Sequence, residues 1–263
     1  MATVTAIRPH AGSPIATGNA LELIGVSRRF GALRALEDVS FAVAAGERRA
    51  VIGANGAGKT TLFNVVTGDF PATTGTVRFF GDDVTNLPPY ERIRAGMRRT
   101  YQSSLLFREL SVADNLFLAV RGVARGRMNM LRPRRGSTTR AAANDLLRRV
   151  RLEPVAHERV ASLSHGQQRQ LEIGMALAGA PRLILFDEPA AGLSPPERRE
   201  LVALLTALPS HIGFVLIEHD LDIALRVVDV VTVLHNGRVL KHGTPAEIEG
   251  DAEVQAIYMG GRH

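Results

Sequence analysis

Residues 53–60 read Gly-Ala-Asn-Gly-Ala-Gly-Lys-Thr, an order of residue types suited to holding a chain of phosphates. Gly53, Gly56 and Gly58, with Ala54, Asn55 and Ala57 between them, let successive backbone amides curl inward as a cradle of donors. The start of a helix behind the loop adds further unpaired N–H groups pointing the same way. Lys59 supplies a point charge for the β- and γ-phosphates. The Thr60 hydroxyl is an oxygen ligand of the kind Mg²⁺ prefers, and Thr61 completes the set. A second pair of interest is Asp187 and Glu188, which follow the all-apolar run Leu183–Phe186. Carboxylates at that end of a strand lie where open α/β sheets take their ligands. Asp187 is the candidate on the metal side. Glu188, one residue further, is placed to polarise a water for in-line attack on a γ-phosphate. The plainer reading of the pair is a polar turn before Pro189.

These groups need a scaffold, and the apolar patterning supplies one. Leu21–Val26 and Val39–Val43 alternate loosely and predict short antiparallel strands. Arg49–Ile52, the glycine loop and Thr61–Thr67 then read as strand, loop and helix. Leu183–Phe186 and Phe214–Ile217 predict two more buried strands, with 196–208 as a helical crossover, which is the pattern of a parallel α/β sheet. Between the sheet segments, Leu146, Leu147, Val150 and Leu152 fall at helical spacing beside an arginine-rich face, predicting a separate helical portion. Asn236-Gly237 between two apolar runs predicts a two-residue hairpin. Ser164, in Leu163-Ser164-His165-Gly166-Gln167, stands as the N-cap of a helix with Leu171, Met175 and Ala178 on one face.

The glycine cradle, that pentapeptide and the Asp-Glu pair 23 residues after Ser164 together resemble the ATP-binding subunits of ABC transporters, over nearly the whole chain after residue 20. The resemblance implies a RecA-like P-loop NTPase core of α/β class, a small antiparallel β subdomain and an inserted α-helical subdomain. It divides the chain into a flexible tail over 1–19, one ATPase domain over 20–249 with the helical insertion at about 103–165, and a C-terminal tail over 250–263. It further implies that ATP and Mg²⁺ are bound, with Thr60, Gln102 and Asp187 at the metal and Glu188, His219 and Gln102 acting in hydrolysis. Phe30, 23 residues before Gly53, matches the family's adenine-stacking aromatic; a core phenylalanine is the alternative. Ser164, His165, Gly166 and Gln167 match the segment that caps the ATP held by a second subunit.

Two positions depart from the family's common pattern. His165 stands where a glycine is usual, and Ser194 where many relatives have aspartate. Phe107-Arg108-Glu109, the run 166–173, the run 187–195, Gly243-Thr244-Pro245 and Ile257-Tyr258-Met259-Gly260 are similar to the branched-chain amino acid importers. Importers of urea, short amides and other small organic acids are similar too. The implied partners are membrane permease subunits, a second ABC ATPase subunit (the same chain or a related one) and an external solute-binding protein. The implied place is peripheral, on the cytoplasmic face of the inner or plasma membrane.

Composition narrows the field. The 263 residues are 45% hydrophobic and 22% charged, as in an ordinary globular protein, and lack cysteine, which excludes disulfides and thiolate metal sites. No stretch approaches the roughly 18 consecutive apolar residues of a membrane span. The net charge of +6 is uneven: residues 121–151 hold ten arginines and one acid, Asp145, leaving the remainder at −3. That window is a solvated helix face, a contact for anionic lipid or an acidic membrane partner, or a nucleic-acid patch. No aromatic lies among its arginines to stack bases, which argues against the last. An ABC-type ATPase of nucleic acid is the rival function. Such proteins carry long coiled-coil or zinc-bearing insertions, and neither heptads nor cysteine occur here.

Overall fold

The computed structural model describes residues 18–101, 105–123 and 138–259. Gln102, residues 1–17, positions 124–137 of the arginine-rich window and Gly260 lie outside the described residues. Along the chain, β1 (Asn19–Phe30), β2 (Leu33–Ala44) and β3 (Arg48–Ile52) precede α1 (Lys59–Thr67), β4 (Thr74–Phe79), β5 (Asp82–Asp83), α2 (Pro89–Ala95) and β6 (Met97–Arg99). Helices α3 (Val112–Val123), α4 (Thr138–Arg149) and α5 (His165–Ala176) follow. Strands and helices then alternate as β7 (Leu183–Asp187), α6 (Pro195–Thr206), β8 (Gly213–Ile217), α7 (Leu221–Val227), β9 (Val230–His235), β10 (Arg238–Gly243), α8 (Pro245–Glu249) and α9 (Ala252–Met259).

The strands sort into two sheets. A six-stranded sheet runs β10-β9-β3-β8-β7-β6, parallel except for the terminal β10. β8 and, as far as Phe186, β7 are apolar without interruption because both faces are covered, and successive side chains of β3, β7 and β8 divide between two cores. Ala50, Ile52, Ile184, Phe186, Phe214 and Leu216 pack on the side of α3–α7. Val51, Leu183, Leu185, Val215 and Ile217 pack on the side of α1 and the second sheet. Each such fully buried Val, Leu, Ile or Phe side chain contributes about 1.5–3 kcal/mol. The second sheet, β2-β1-β4-β5, is antiparallel.

The strands β1 and β2 are longer than their alternation predicts. Their ladder continues through the polar Ser27–Arg29 to Phe30 opposite Leu33, because backbone pairing across a tight turn does not require apolar side chains. The hairpin between β9 and β10 turns at Asn236 and Gly237, with φ of 47° and 76°, the two left-handed positions that this turn needs. Residues 252–259 form α9, with Val254 buried and the Asp251 carboxylate accepting from the amides of Glu253 and Val254 at 3.0 Å.

The end of α1 is fixed from outside the helix. Arg92, 2% exposed, donates to the carbonyls of Val65 (2.8 Å) and Val66 (2.6 Å) as well as those of Leu87 and Thr85. A cation there satisfies carbonyls the helix leaves unpaired. Burial lowers its pKa to about 10, so it remains charged at neutral pH.

Candidate functional site

The glycine loop joins β3 to α1 at the carboxyl edge of the parallel sheet, as the residue pattern requires. Gly53 is demanded by a close approach, since a Cβ there would lie 2.1 Å from the Leu234 carbonyl oxygen. Gly58, at φ 102°, precedes α1 without a side-chain cap and faces the Ala35 carbonyl at 2.5 Å from its would-be Cβ. The first amides of α1 therefore have neither an intrahelical acceptor nor a capping side chain, and Thr60 and Asn55 beside them are exposed. Lys59 is 6% exposed, and its ammonium turns back onto the carbonyls of Gly53 (2.7 Å) and Ala54 (3.0 Å). Burial lowers its pKa while the charges of Glu188 and Asp187 oppose that shift, so the lysine and both carboxylates share one electrostatic site.

Strands β3, β8 and β7 lie side by side, which brings the cradle, Asp187, Glu188 and His219 to one edge. Asp187 is buried. Its Oδ2 accepts from Arg99 at 2.7 Å, whereas Oδ1 has no hydrogen-bond partner. Burial raises its pKa and Arg99 counteracts the rise. Glu188 turns away from the strand at φ 48°, in a left-handed conformation costing a non-glycine residue on the order of 1–2 kcal/mol. The turn is held by its N–H on the Ile217 carbonyl (2.9 Å) and by Ala191 N–H on its own carbonyl (3.1 Å). Its Oε1 then lies 2.6 Å from Nε2 of His219.

Two side chains that the sequence reading did not single out organise this edge. Glu218, 3% exposed, accepts from the Ala190 amide (2.7 Å) and the His219 amide (3.1 Å), tying the turn after β7 to the one after β8. Burial raises its pKa. Arg99, on β6, reaches Asn64 (2.6 Å) and Asp69 (3.0 Å) as well as Asp187. The signal for Glu218 was its place at the end of an apolar strand. Arg99 carried none, because its partners lie up to 88 residues away.

Phe30 is at the end of β1, 38% exposed, with its ring edge-on to Phe70 at 5.4 Å and the Arg28 guanidinium 4.4 Å from its centroid. The ring is supported by Arg28 of its own strand and by Phe70 in the segment between α1 and β4, and still has open surface.

Ser164 caps α5 as expected, in a reciprocal box: Gln167 N–H donates to Ser164 Oγ (3.2 Å) and Ser164 N–H to Gln167 Oε1 (3.0 Å). Among the described residues no hydrogen bond joins this segment to the cradle of the same chain. It meets the loop before α6 instead. His165 lies against Gly192, its ring 3.1 Å from where a Cβ on that glycine would stand. The Glu197 carboxylate accepts from Gly166 N–H at 2.9 Å and from Ser164 Oγ at 3.3 Å.

Residues 36–191 match the model of the ABC transporter family. The high-affinity branched-chain amino acid transport ATP-binding protein BraF of Pseudomonas aeruginosa is 36% identical over 248 residues, 91% of this chain and 97% of BraF. The solved ATP-binding cassette MJ1267 of an ABC transporter superposes with a TM-score of 0.83 at 31% identity, covering 92% of this chain and 99% of that one. The cassette MJ0796, solved as a dimer in a post-hydrolysis state bound to ADP and Pi, superposes with a TM-score of 0.73 at 25% identity over 86% of this chain and 98% of its own. No helix among the described residues is long and apolar enough to cross a membrane. The chain belongs to the ABC transporter family, as an ATP-binding, ATP-hydrolysing subunit that works at a membrane with a permease.

Proposed function

We propose that this chain powers an importer of branched-chain amino acids or similarly small polar solutes. The likeness to BraF supports the solute class, and the observation that carries the mechanism is the Glu188–His219 contact of 2.6 Å beside the Lys59 cradle. Phe30 stacks on adenine. The amides of Gly53 to Thr61 and the Lys59 ammonium hold the phosphates, with Lys59 exchanging its carbonyl contacts for phosphate oxygens. Glu188 takes the proton of a water that attacks the γ-phosphorus, the bond to the β–γ bridging oxygen breaks, and ADP and phosphate leave. His219 holds Glu188 in place through Nε2 and lies at the edge where the γ-phosphate is bound.

The donor set fits Mg²⁺. Asp187 Oδ1 is a buried oxygen without a partner, and the Thr60 hydroxyl is exposed near the same edge. Thr60, Asp187 and Gln102 would hold the ion, directly or through its waters, and when bound it neutralises charge building on the phosphates.

Ser164, His165, Gly166 and Gln167, which make no hydrogen bond to their own chain's cradle among the described residues, serve the nucleotide of a second ATPase subunit, the same chain or a related one. Two ATP molecules then sit between two subunits, and their hydrolysis releases the closed pair. The permease docks at the helical portion, where Tyr101, Leu105, Leu106, Ala119 and Met175 line a cavity of about 230 Å³. Leu105, in its lining, is 67% exposed, and Phe107, two residues on, is 52% exposed. The chain sits on the cytoplasmic face of the inner or plasma membrane, and an external solute-binding protein delivers the solute.

The test traps tagged Glu188→Gln protein with ATP and Mg²⁺ in its native cells and identifies what co-purifies from gently solubilised membranes. A hydrophobic permease pair and a second ATPase support the importer. Recovery of nucleic acid or of soluble proteins alone would contradict it.

A further inference from the structure

Glu197 caps two helices at once. Its Oε2 accepts from Ser194 N–H (2.9 Å) and Ser194 Oγ (2.7 Å), closing the box that starts α6. Its Oε1 accepts from Gly166 N–H (2.9 Å) and Ser164 Oγ (3.3 Å), at the start of α5. The approach is close enough that a Cβ on Gly166 would come within 2.5 Å of Oε1. The four donors, Ser194 foremost, lower the Glu197 pKa to about 2, so the group is an anion at any physiological pH.

An anion at this place has a consequence that rests on the proposed function. The segment 164–167 is assigned there to the second subunit's nucleotide, and its free-hydrogen donors toward a γ-phosphate are Ser164 Oγ–H and Gly166 N–H at the start of α5, each with one hydrogen to give. While the carboxylate holds them they cannot also serve a phosphate, and a phosphate brought to the same seat meets a like charge at close range. We propose that Glu197 is a positioning residue for the 164–167 segment: its carboxylate occupies the seat of the partner subunit's γ-phosphate and must yield Gly166 N–H for the two subunits to close on ATP. Because the other oxygen of the same carboxylate holds Ser194, release at α5 also loosens the loop before α6. The two segments that depart from the family's pattern, at His165 and Ser194, are thus joined through one side chain.

The experiment uses the full-length chain in the Glu188→Gln background, assembled with the subunits that co-purify with it. Amide hydrogen exchange of residues 163–170 is followed against ATP concentration. Glu197→Gln keeps the shape and an acceptor oxygen but removes the charge, and is expected to lower the half-protecting ATP concentration about two- to fivefold, with the gain shrinking at high salt. Ser194→Ala keeps the carboxylate on Gly166 and is expected to give no such gain. A half-protecting concentration that is unchanged or raised in Glu197→Gln, or lowered equally by Ser194→Ala, overturns the proposal. If ATP protects the segment in no variant, including Glu188→Gln alone, the shared-nucleotide reading itself fails, and the role of Glu197 with it.

Discussion

Oδ2 of Asp187 lies 2.7 Å from the guanidinium of Arg99, and the two side chains are 1% and 5% exposed. The same guanidinium reaches Asn64 on α1 and Asp69 just beyond it, so one cation ties β6, β7 and the far end of α1 together. Gln102 follows Arg99 by three residues. Arg99 thus anchors the carboxylate proposed for the metal through a nearly dry ion pair.

Removing one partner of such a pair leaves the other charge buried and uncompensated. Arg99→Met should destabilise the nucleotide-free protein by about 3–5 kcal/mol in urea unfolding. The double variant Arg99→Met/Asp187→Asn should recover a large part of that loss. Additive losses in the two single variants and the double would show that the contact contributes no coupling.

Lys59 gives its ammonium to two loop carbonyls, and the proposal transfers it to phosphate. Lys59→Ala should therefore weaken ATP binding itself, by tenfold or more if a charge-assisted contact of about 1.5–3 kcal/mol is lost. Calorimetry with an unchanged dissociation constant would separate the loop from phosphate.

Glu197 adds a pH signature. Its folded pKa, about 2, lies below the ordinary value of 4.5. The unfolded chain thus takes up the proton first as pH falls. The stabilising contribution is complete above about pH 4.5 and is lost progressively down to about pH 2. Glu197→Gln should flatten the decline of unfolding free energy with acid across that window. An identical slope in the variant would show that the carboxylate is not held by the donors at 164–166 and 194.

Much of this site is written locally in the chain. The cradle, the apolar strand ending at Asp187 and Glu188, the cap at Ser164 and the hairpin at Asn236-Gly237 are patterns of adjacent residues, with physical requirements met within a turn or two. The side chains that hold the site together were not legible in this way. Glu197 reads as the third residue of an ordinary capping box, and nothing in 194–197 announces that its second oxygen meets Gly166, 31 residues earlier. Arg99 and Glu218 likewise act between strands adjacent in space but distant in sequence. The support of Phe30 by Phe70, 40 residues later, is a contact of the same distant kind.

The proposed role of Glu188, which follows β7 in a left-handed turn and is held by His219, is to activate water for attack on ATP in the cradle. Its most direct measurement is single-turnover hydrolysis by Glu188→Gln beside the unaltered chain, with ATP affinity measured in parallel. Turnover should fall by roughly 10²- to 10⁴-fold while ATP binding is retained. Hydrolysis at the unaltered rate with ATP fully bound would remove Glu188 from the chemistry and contradict the account.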